Sequence, residues 1–445
     1  MLQNQLRMAQ KLLSNMCANI IFSLKKYILS EAFISSHRQS PKDFTRNRKL
    51  PFHVLISFLI NFVKGSYQDE LDKFFQALRQ TEVSKRVVSN AALAKARMKL
   101  KYEAFIELNQ HLVALFEKIF TPKTWYGFRL IAIDGTTFRL PHIKEIADHF
   151  GVWEVRKGTP CPMARVSQLF DSLNKITLHA VISPKSIDER EQAMELFFNL
   201  MPRDLVLLDR GYPAFWLFKL IASTHADFCA RISSKWNIVI SFLKSGKKEE
   251  IVKLNAPHTS ISMCHQLGLD TNPLKLRLIR IELDSGETEV LITSLIDTKT
   301  HPYDLFAELY HKRWPVEEDY KTMKSRLQLE NITGKSVLSV YQDFHAKVFA
   351  KNLASVLSFP VQNEIEKSGK KEKYVHQLNF VQALSKVKYV IALLFQRTRK
   401  KVLKLIEDLH DIFIQSTEPI RPGRKFPRKH KVSVRRHFIS YKPIS

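Results

Sequence analysis

The segment from residue 128 to residue 232 constrains the fold most, because its apolar runs follow one another in a definite order. Their lengths and flanking turns predict strand, strand, strand, helix, strand, helix, strand. The strands are FRLIAID, ARVSQLFD, KITLHAVIS, DLVLLD and DFCARI, and the helices are EREQAMELFFNLM and PAFWLFKLIAS. Three consecutive strands followed by α/β units predict an α/β fold with a mixed sheet and helices on its faces.

Two of the predicted strands end in an aspartate, Asp134 after FRLIAI and Asp209 after DLVLL. Open α/β sheets place their functional sites beyond strand ends. These two carboxylates are therefore predicted to lie in a site.

A third carboxylate belongs to a charged helix predicted over 308–324. Tyr310, Arg313, Glu317 and Lys324 follow one another at intervals of three, four and seven, which places them within about 60° of one another on a helix. Taken alone, the helix favours a surface ladder with Arg313 and Glu317 as an i,i+4 ion pair. If a new helix starts at Pro315, the proline suits its first position.

The two aspartates strengthen the alternative, in which Glu317 completes a metal site with Asp134 and Asp209. Three carboxylates suit Mg²⁺, a hard cation that prefers oxygen ligands. Two such ions about 4 Å apart can activate an attacking oxygen and stabilise a leaving one. Arg313 and Lys324 would then hold phosphates.

The charge of the chain indicates a polyanionic partner. Lys and Arg number 70 against 43 Asp and Glu, a net charge of +27. Nucleic acid is the first such partner and an acidic membrane the second. The longest apolar run, residues 53–63, is too short to span a bilayer, and no signal peptide is recognisable. Four scattered cysteines predict neither a zinc site nor a disulfide framework, so a reducing cytosol is expected.

The predicted organisation is a helical DNA-binding region, a catalytic core in two parts, a β-rich insertion of two hairpins, C-terminal helices and a basic tail. Their ranges are 1–120, 121–232 with 299–360, 233–298, 361–415 and 416–445. The predicted hairpins join NIVISFL (237–243) to EEIVKL and PLKLRLIRIEL to TEVLITSLI. In the first region, residues 89–100 predict a helix whose Lys95 and Arg97 could face DNA phosphates. A simple solvated helix face explains those cations equally well.

Three motifs together resemble the IS4 family of bacterial insertion-sequence transposases. They are IAIDGTTFRLP with Asp134, VLLDRGY with Asp209, and YHKRWPVEEDYKTMK, which matches the Tyr, Arg, Glu, Lys spacing of that family. Weaker resemblance extends the match over roughly residues 50–360. It implies an RNase H-like fold and a DDE triad, Asp134, Asp209 and Glu317, that binds two ions of Mg²⁺ or Mn²⁺.

The resemblance also implies a reaction and roles for the neighbouring residues. Activated water nicks DNA at the end of the element, and the freed 3′-OH attacks in excision and later on target DNA. Tyr310, Arg313 and Lys324 should contact phosphates near the scissile bond. Arg210 and Tyr212 are weaker site residues, and Trp236 lies where relatives place an aromatic that receives a flipped base.

The implied partners are the terminal inverted repeats, recognised by the N-terminal helices, and target DNA, in the bacterial cytoplasm with nucleoid association. Relatives act as dimers on paired ends. Two alternatives stay open: a catalytically inactive or domesticated DNA-binding relative, and a metal-dependent endonuclease without strand transfer.

Overall fold

The computed structural model describes residues 2–46, 48–63, 65–154, 160–283, 286–332, 334–368 and 374–421, with side chains from residue 10 onward. The predicted basic tail lies outside these residues from 422 onward. The chain divides into two compact units. The first unit contains Met1–Thr121, Phe138–Ala164 and Thr322–Ser445, and the second contains Pro122–Thr137 and Arg165–Lys321. Both predicted helical regions therefore belong to the first unit.

The helices, in chain order, are α1 Leu2–Ile28, α2 Glu31–His37, α3 Phe52–Leu59, α4 Tyr67–Arg79, α5 Asn90–Arg97, α6 Glu103–Ile119, α7 Lys144–Phe150, α8 Glu189–Phe197, α9 Phe215–Ser223, α10 Asn237–Lys244, α11 His258–Gln266, α12 Leu305–His311, α13 Pro315–Lys321, α14 Val337–Ser368, α15 Phe380–Gln396 and α16 Arg399–Gln415. The strands are β1 Arg129–Arg139, β2 Val152–Trp153, β3 Cys161–Asp171, β4 Ile176–Ser183, β5 Asp204–Leu208, β6 Asp227–Ile232, β7 Glu249–Leu254, β8 Leu274–Glu282, β9 Thr288–Thr293, β10 His376–Leu378 and β11 Thr417–Pro419. A π-helical turn, Thr322–Arg326, follows α13.

Helices from the two ends of the chain form the core of the first unit. Helix α1 packs on α16, and α6 packs on α14. Ile20, Ile21 and Leu24 of α1 are fully buried, at the spacing of one helix face. The first unit is therefore closed by contacts between residues far apart in sequence.

The apolar run at residues 53–63 belongs to the core of the first unit. Most of it lies in α3, in which Leu55, Ile56 and Phe58 are fully buried. Within the described part of the chain, every helix is too short or too polar to cross a bilayer.

The second unit is built on a mixed sheet in the strand order β3-β1-β5-β6-β9-β8-β7, with β4 paired to β3. The three central strands, β1, β5 and β6, run parallel: Ile131 lies beside Val206, and Val206 beside Phe228. All five residues of β5 are buried, as expected of a strand covered on both faces. This order confirms the predicted α/β class and the RNase H-like mixed sheet.

The predicted insertion joins this sheet. Strand β9 pairs antiparallel with β6, β8 with β9, and β7 with β8. The predicted hairpin of β8 and β9 is confirmed, whereas the predicted strand at 237–243 is wrong, because those residues form α10. Val239 and Phe242 are its buried residues, and a separation of three suits a helix face, which a short apolar run does not reveal.

Candidate active site

Asp134 lies within β1, the first strand of the parallel set. The sequence predicted a strand ending at Asp134, but β1 continues to Arg139. The N–H of Gly135 donates to the Asp134 carboxylate (2.9 Å), and the Tyr320 hydroxyl donates to the Asp134 backbone carbonyl (2.8 Å). The Tyr320 hydrogen bond therefore links helix α13 to strand β1 at Asp134.

Asp209 follows β5 directly, as predicted, and two side chains hold its carboxylate. The Tyr310 hydroxyl donates to Oδ1 at 3.2 Å, and Nη2 of Arg231 lies 3.2 Å from the same oxygen. The chain then turns sharply, because the N–H of Tyr212 donates to the Asp209 carbonyl at 3.1 Å. Asp209 therefore sits in a turn that is fixed on both its backbone and its side chain.

Glu317 is placed by helix α13, which begins at Pro315 as the sequence allowed. The Asp319 carboxylate accepts a hydrogen bond from Nε2 of Gln168 on β3 (3.0 Å). Val316 is fully buried, and Tyr320 makes the bond to β1 described above. Glu317 lies on the same helix and is half-buried, so two strands of the sheet fix the helix that carries it.

The predicted ion pair between Arg313 and Glu317 forms, with Nη2 to Oε1 at 2.8 Å. It is not a rung of a surface ladder, because Arg313 is only 8% exposed. Its guanidinium carbon also lies 5.7 Å from the centre of the Tyr310 ring, at the distance of a cation–π contact. Tyr310, Arg313 and Glu317 therefore form one contiguous group.

The segment 308–324 is not one continuous helix. Helix α12 ends at His311, α13 begins at Pro315, and the π-helical turn starts at Thr322. A break and a π turn both change the angle per residue, so the residue spacing alone does not place Lys324 on the predicted face. Tyr310, Arg313 and Glu317 lie together in spite of the break.

Two of the carboxylates are close enough to influence the ionisation of the third. Burial, with smaller contributions from the nearby Glu317 and Asp209 carboxylates, raises the pKa of Asp134 from 3.8 to about 6. The Gly135 N–H and the Arg313 guanidinium act in the opposite direction. Burial and like charges are both causes that disfavour a charged carboxyl. The second unit thus concentrates negative charge at a partly desolvated position.

This elevated pKa predicts how stability depends on pH when no metal is added. Between 3.8 and about 6 the folded chain binds a proton at Asp134 that the unfolded chain releases. The Asp134 carboxyl therefore adds to the free energy of unfolding at low pH, and this contribution is lost as the pH rises toward 6. As the pH rises from 3.8 to about 6, the urea midpoint of the native chain should fall relative to that of Asp134→Asn. At higher pH the difference should stay constant. Unfolding midpoints of both proteins in chelator test this, and a pH-independent difference would contradict it.

The other predicted site residues of the second unit occupy varied positions. Arg210 is exposed and donates to the Ser233 hydroxyl at 3.3 Å. Tyr212 is 2% exposed, so its side chain packs in the core, which does not favour a direct DNA contact. Trp236 is half-buried at the start of α10, where its carbonyl accepts from Val239.

In the first unit, Lys324 is half-buried in the π-helical turn, and its phosphate contact stays a prediction. Lys95 is exposed on α5. Arg97, two residues further on, is 5% exposed and pairs with Asp343 at 2.7 Å. The prediction that Arg97 faces DNA is not supported by this position, because the guanidinium is taken up by internal partners.

Sequence reasoning missed Arg231, which contacts Asp209 at 3.2 Å and Glu289 at 2.5 Å. Strands β5 and β6 pair with Leu208 beside Ala230. The next residue along each strand is Asp209 and Arg231, so the parallel register brings them together. An arginine inside the apolar run DFCARI was the available signal.

Glu189, at the first position of α8, is a second residue that the sequence did not single out. A Cβ atom added to Gly135 would lie 3.2 Å from its carboxyl carbon. Any larger residue at 135 would therefore press on Glu189, which gives a steric reason for the glycine after Asp134.

The side chains in this conformation do not form a closed metal centre. Within the described ranges, no group of three or more His, Cys, Asp and Glu residues is arranged to hold a metal ion. Instead, protein cations contact two of the carboxylates, Arg231 at Asp209 and Arg313 at Glu317. Three carboxylates with hydrogen-bonding and cationic neighbours nevertheless lie together in the second unit.

Comparison with protein families defines the class. The family described as "Transposase DDE domain" matches residues 125–353, more than half of the 445 residues. The chain belongs to this transposase family.

Two individual proteins are similar to it. The transposase InsG for insertion sequence element IS4, from Escherichia coli strain K12, is 23% identical over 420 residues, covering 92% of each protein. This supports the resemblance to the IS4 family. A solved structure of piggyBac transposase, in a synaptic complex with hairpin DNA, aligns over 92% of this chain and 88% of its own, with a TM-score of 0.47 and 10% identity.

Proposed function

We propose that this chain catalyses cut-and-paste transposition of an insertion sequence, cleaving DNA at the ends of the element and joining them to target DNA. One observation carries the proposal. Asp134, Asp209 and Glu317, from a strand, a turn and a helix, come close enough in the second unit for their charges to interact. They are also the residues that the three motifs match to the DDE triad.

The donor set fits two divalent ions, Mg²⁺ or Mn²⁺, held by Asp134, Asp209 and Glu317. Hard cations of this kind prefer carboxylate oxygens and often bridge them to phosphates. When bound, such ions lower the pKa of water and neutralise charge on a scissile phosphate. Below a pH of about 6, where Asp134 is largely protonated because of its raised pKa, metal binding would release a proton from this carboxyl.

Arg313 has a position suited to two tasks in turn. Without DNA it neutralises Glu317 at 2.8 Å and lies against Tyr310. A scissile phosphate offers the same planar fork a second acceptor. Glu317 then becomes available as a ligand while Arg313 positions the phosphate, and Tyr310 and Lys324 supply further phosphate contacts.

Arg231 holds Asp209 in a similar way on the other side of the site. Its ion pair with Glu289 holds the guanidinium beside Asp209. Arg231 is therefore proposed to orient the Asp209 carboxylate. Arg210 and Trp236, which lie on the loops after β5 and β6, are proposed to contact DNA beside the cleaved strand.

The proposed partners are duplex DNA carrying the terminal inverted repeats, and target DNA. A homodimer on paired ends and an association with bacterial nucleoid DNA in the cytoplasm complete the proposal. The net charge of +27 supports a polyanionic partner.

The first experiment incubates the purified chain with a duplex that carries the DNA flanking its gene, in Mg²⁺, in Mn²⁺ or in chelator. A nick at the element boundary is expected with either metal, and none in chelator. Denaturing gels of end-labelled strands locate the nick, and a target plasmid in the same tube reports joining.

Each other outcome selects a different function. Specific binding without a nick in either metal would identify a catalytically inactive or domesticated relative. Nicking without any joined product would identify a metal-dependent endonuclease. Nicking that persists in chelator would overturn the proposed role of the metal.

A further inference from the structure

The first unit contains a cleft of about 890 Å³ that the proposed chemistry does not use. One wall is the loop that connects α2 to α3, and the other is α5 with the residues flanking it. The cationic side chains that line it are Lys42, Arg46, Arg48, Lys49, Lys95 and Lys99.

The charge that lines this cleft is predominantly positive. Asp43 is its single acidic lining residue, and it pairs with Lys99 at 2.9 Å. The other five cations are exposed, and the described residues give them no carboxylate partner. A concave surface lined by one sign of charge concentrates the electrostatic potential and attracts counter-ions.

The walls of the cleft are held together by specific contacts. The N–H of Gln39 donates to the Lys99 carbonyl, and the N–H of Lys101 donates to the His37 carbonyl, both at 2.9 Å. Within the loop, the Asp43 carboxylate accepts from the Ser40 N–H at 3.1 Å. Phe44 packs edge-on against Phe52, with ring centres 5.3 Å apart. The cations therefore project from a loop that is anchored at its start and along its length.

The beginning of α5 adds to the attraction for anions. Ser89 caps this helix by accepting from the Ala92 N–H, and Ala91 and Ala92 line the cleft. The first turn of a helix carries a partial positive charge, which favours phosphate groups. Lys95, one turn further along α5, extends the same surface.

We propose that this cleft holds the phosphate backbone of the duplex DNA on which the chain acts, an inference that rests on the proposed function. The two arginines can fork onto phosphate oxygens, and the lysines can act as point charges. Contacts of this type fix position and carry no sequence information. The cleft is therefore a site of general DNA affinity.

The test measures binding of the full-length chain to a fluorescent duplex in chelator, over a series of salt concentrations. Lys49→Gln/Lys95→Gln removes one cation from each wall. It should weaken binding about tenfold and reduce the slope of log affinity against log salt by about 2. Lys400→Gln/Lys401→Gln is the matched control, because it removes two exposed cations from α16 outside the cleft. It should leave both quantities close to native.

A variant that is expected to tighten binding distinguishes an effect of charge from misfolding, because misfolding could only weaken binding. Asp43→Asn removes the acidic group of the cleft and releases Lys99 from its pair, so binding should tighten severalfold. Equal weakening by the two lysine pairs, or no binding by the native chain, would overturn the cleft proposal. Nicking of an end-carrying duplex in Mg²⁺ is scored in parallel. Intact cleft-dependent binding without nicking would count against the proposed function alone.

Discussion

Replacing Glu317 by alanine is expected to abolish nicking at the element boundary, while replacing Glu318 by alanine leaves it intact. Glu317 is half-buried, lies against Arg313 at 2.8 Å and shares a site with Asp134 and Asp209. Loss of one essential catalytic group lowers rates by about 10⁴-fold or more. Single-turnover cleavage of a labelled duplex in Mg²⁺ measures the effect.

Glu318 is a close control because it is the adjacent residue of the same helix and has the same charge. It is exposed and pairs with Lys321 at 2.5 Å, away from the three carboxylates. Both variants should bind the duplex in chelator as the native chain does, which separates chemistry from binding. Cleavage that survives Glu317→Ala would show that the carboxylate site is wrongly assigned.

The second large effect is on stability, and it concerns Arg97. Its guanidinium donates to Asp343 (2.7 Å), to the Gln342 side chain (2.8 Å), to the Ser339 carbonyl (3.0 Å) and to the Tyr67 hydroxyl. Arg97→Met leaves Asp343, whose side chain is only 13% exposed, as an uncompensated charge. Breaking a buried pair from one side costs about 3–5 kcal/mol. Urea denaturation of the native and variant chains should show a loss of that size.

Two further variants identify the cause of that loss. Lys95→Met removes an exposed cation from the same helix and should change stability by less than about 0.5 kcal/mol. Arg97→Met/Asp343→Leu removes both charges and should recover much of the loss, because an apolar replacement of a buried pair is often close to neutral. A double variant as unstable as the single one would indicate that packing, and not the unpaired carboxylate, sets the cost.

The sequence predicted an element correctly where its local pattern is typical of one kind of structure only. Asp209 follows a buried apolar run, so its position after a strand could be predicted before the structure, whereas the sequence left open whether a new helix starts at Pro315. The run at 237–243 was predicted as a strand, although five apolar residues among seven suit a strand or a helix equally. Only packing of Val239 and Phe242 in the core settles it as α10.

The remaining features depend on which segments meet in space. Arg97 and Lys95 look alike in sequence, but Asp343 and Gln342, about 245 residues away, bury only Arg97. Arg231 gains its place beside Asp209 from the register of two parallel strands. A single sequence contains no record of these distant pairings.

The first unit combines segments from both ends of the chain, so it cannot complete its folding until synthesis is nearly finished. Helices α1 and α6 emerge early, but their packing partners, α16 and α14, are translated last. Until then, α1 lacks its partner α16 and α6 lacks its partner α14, and apolar surface that stays exposed during synthesis promotes aggregation. A chain that stops before α14 therefore lacks the C-terminal packing partners of both N-terminal helices.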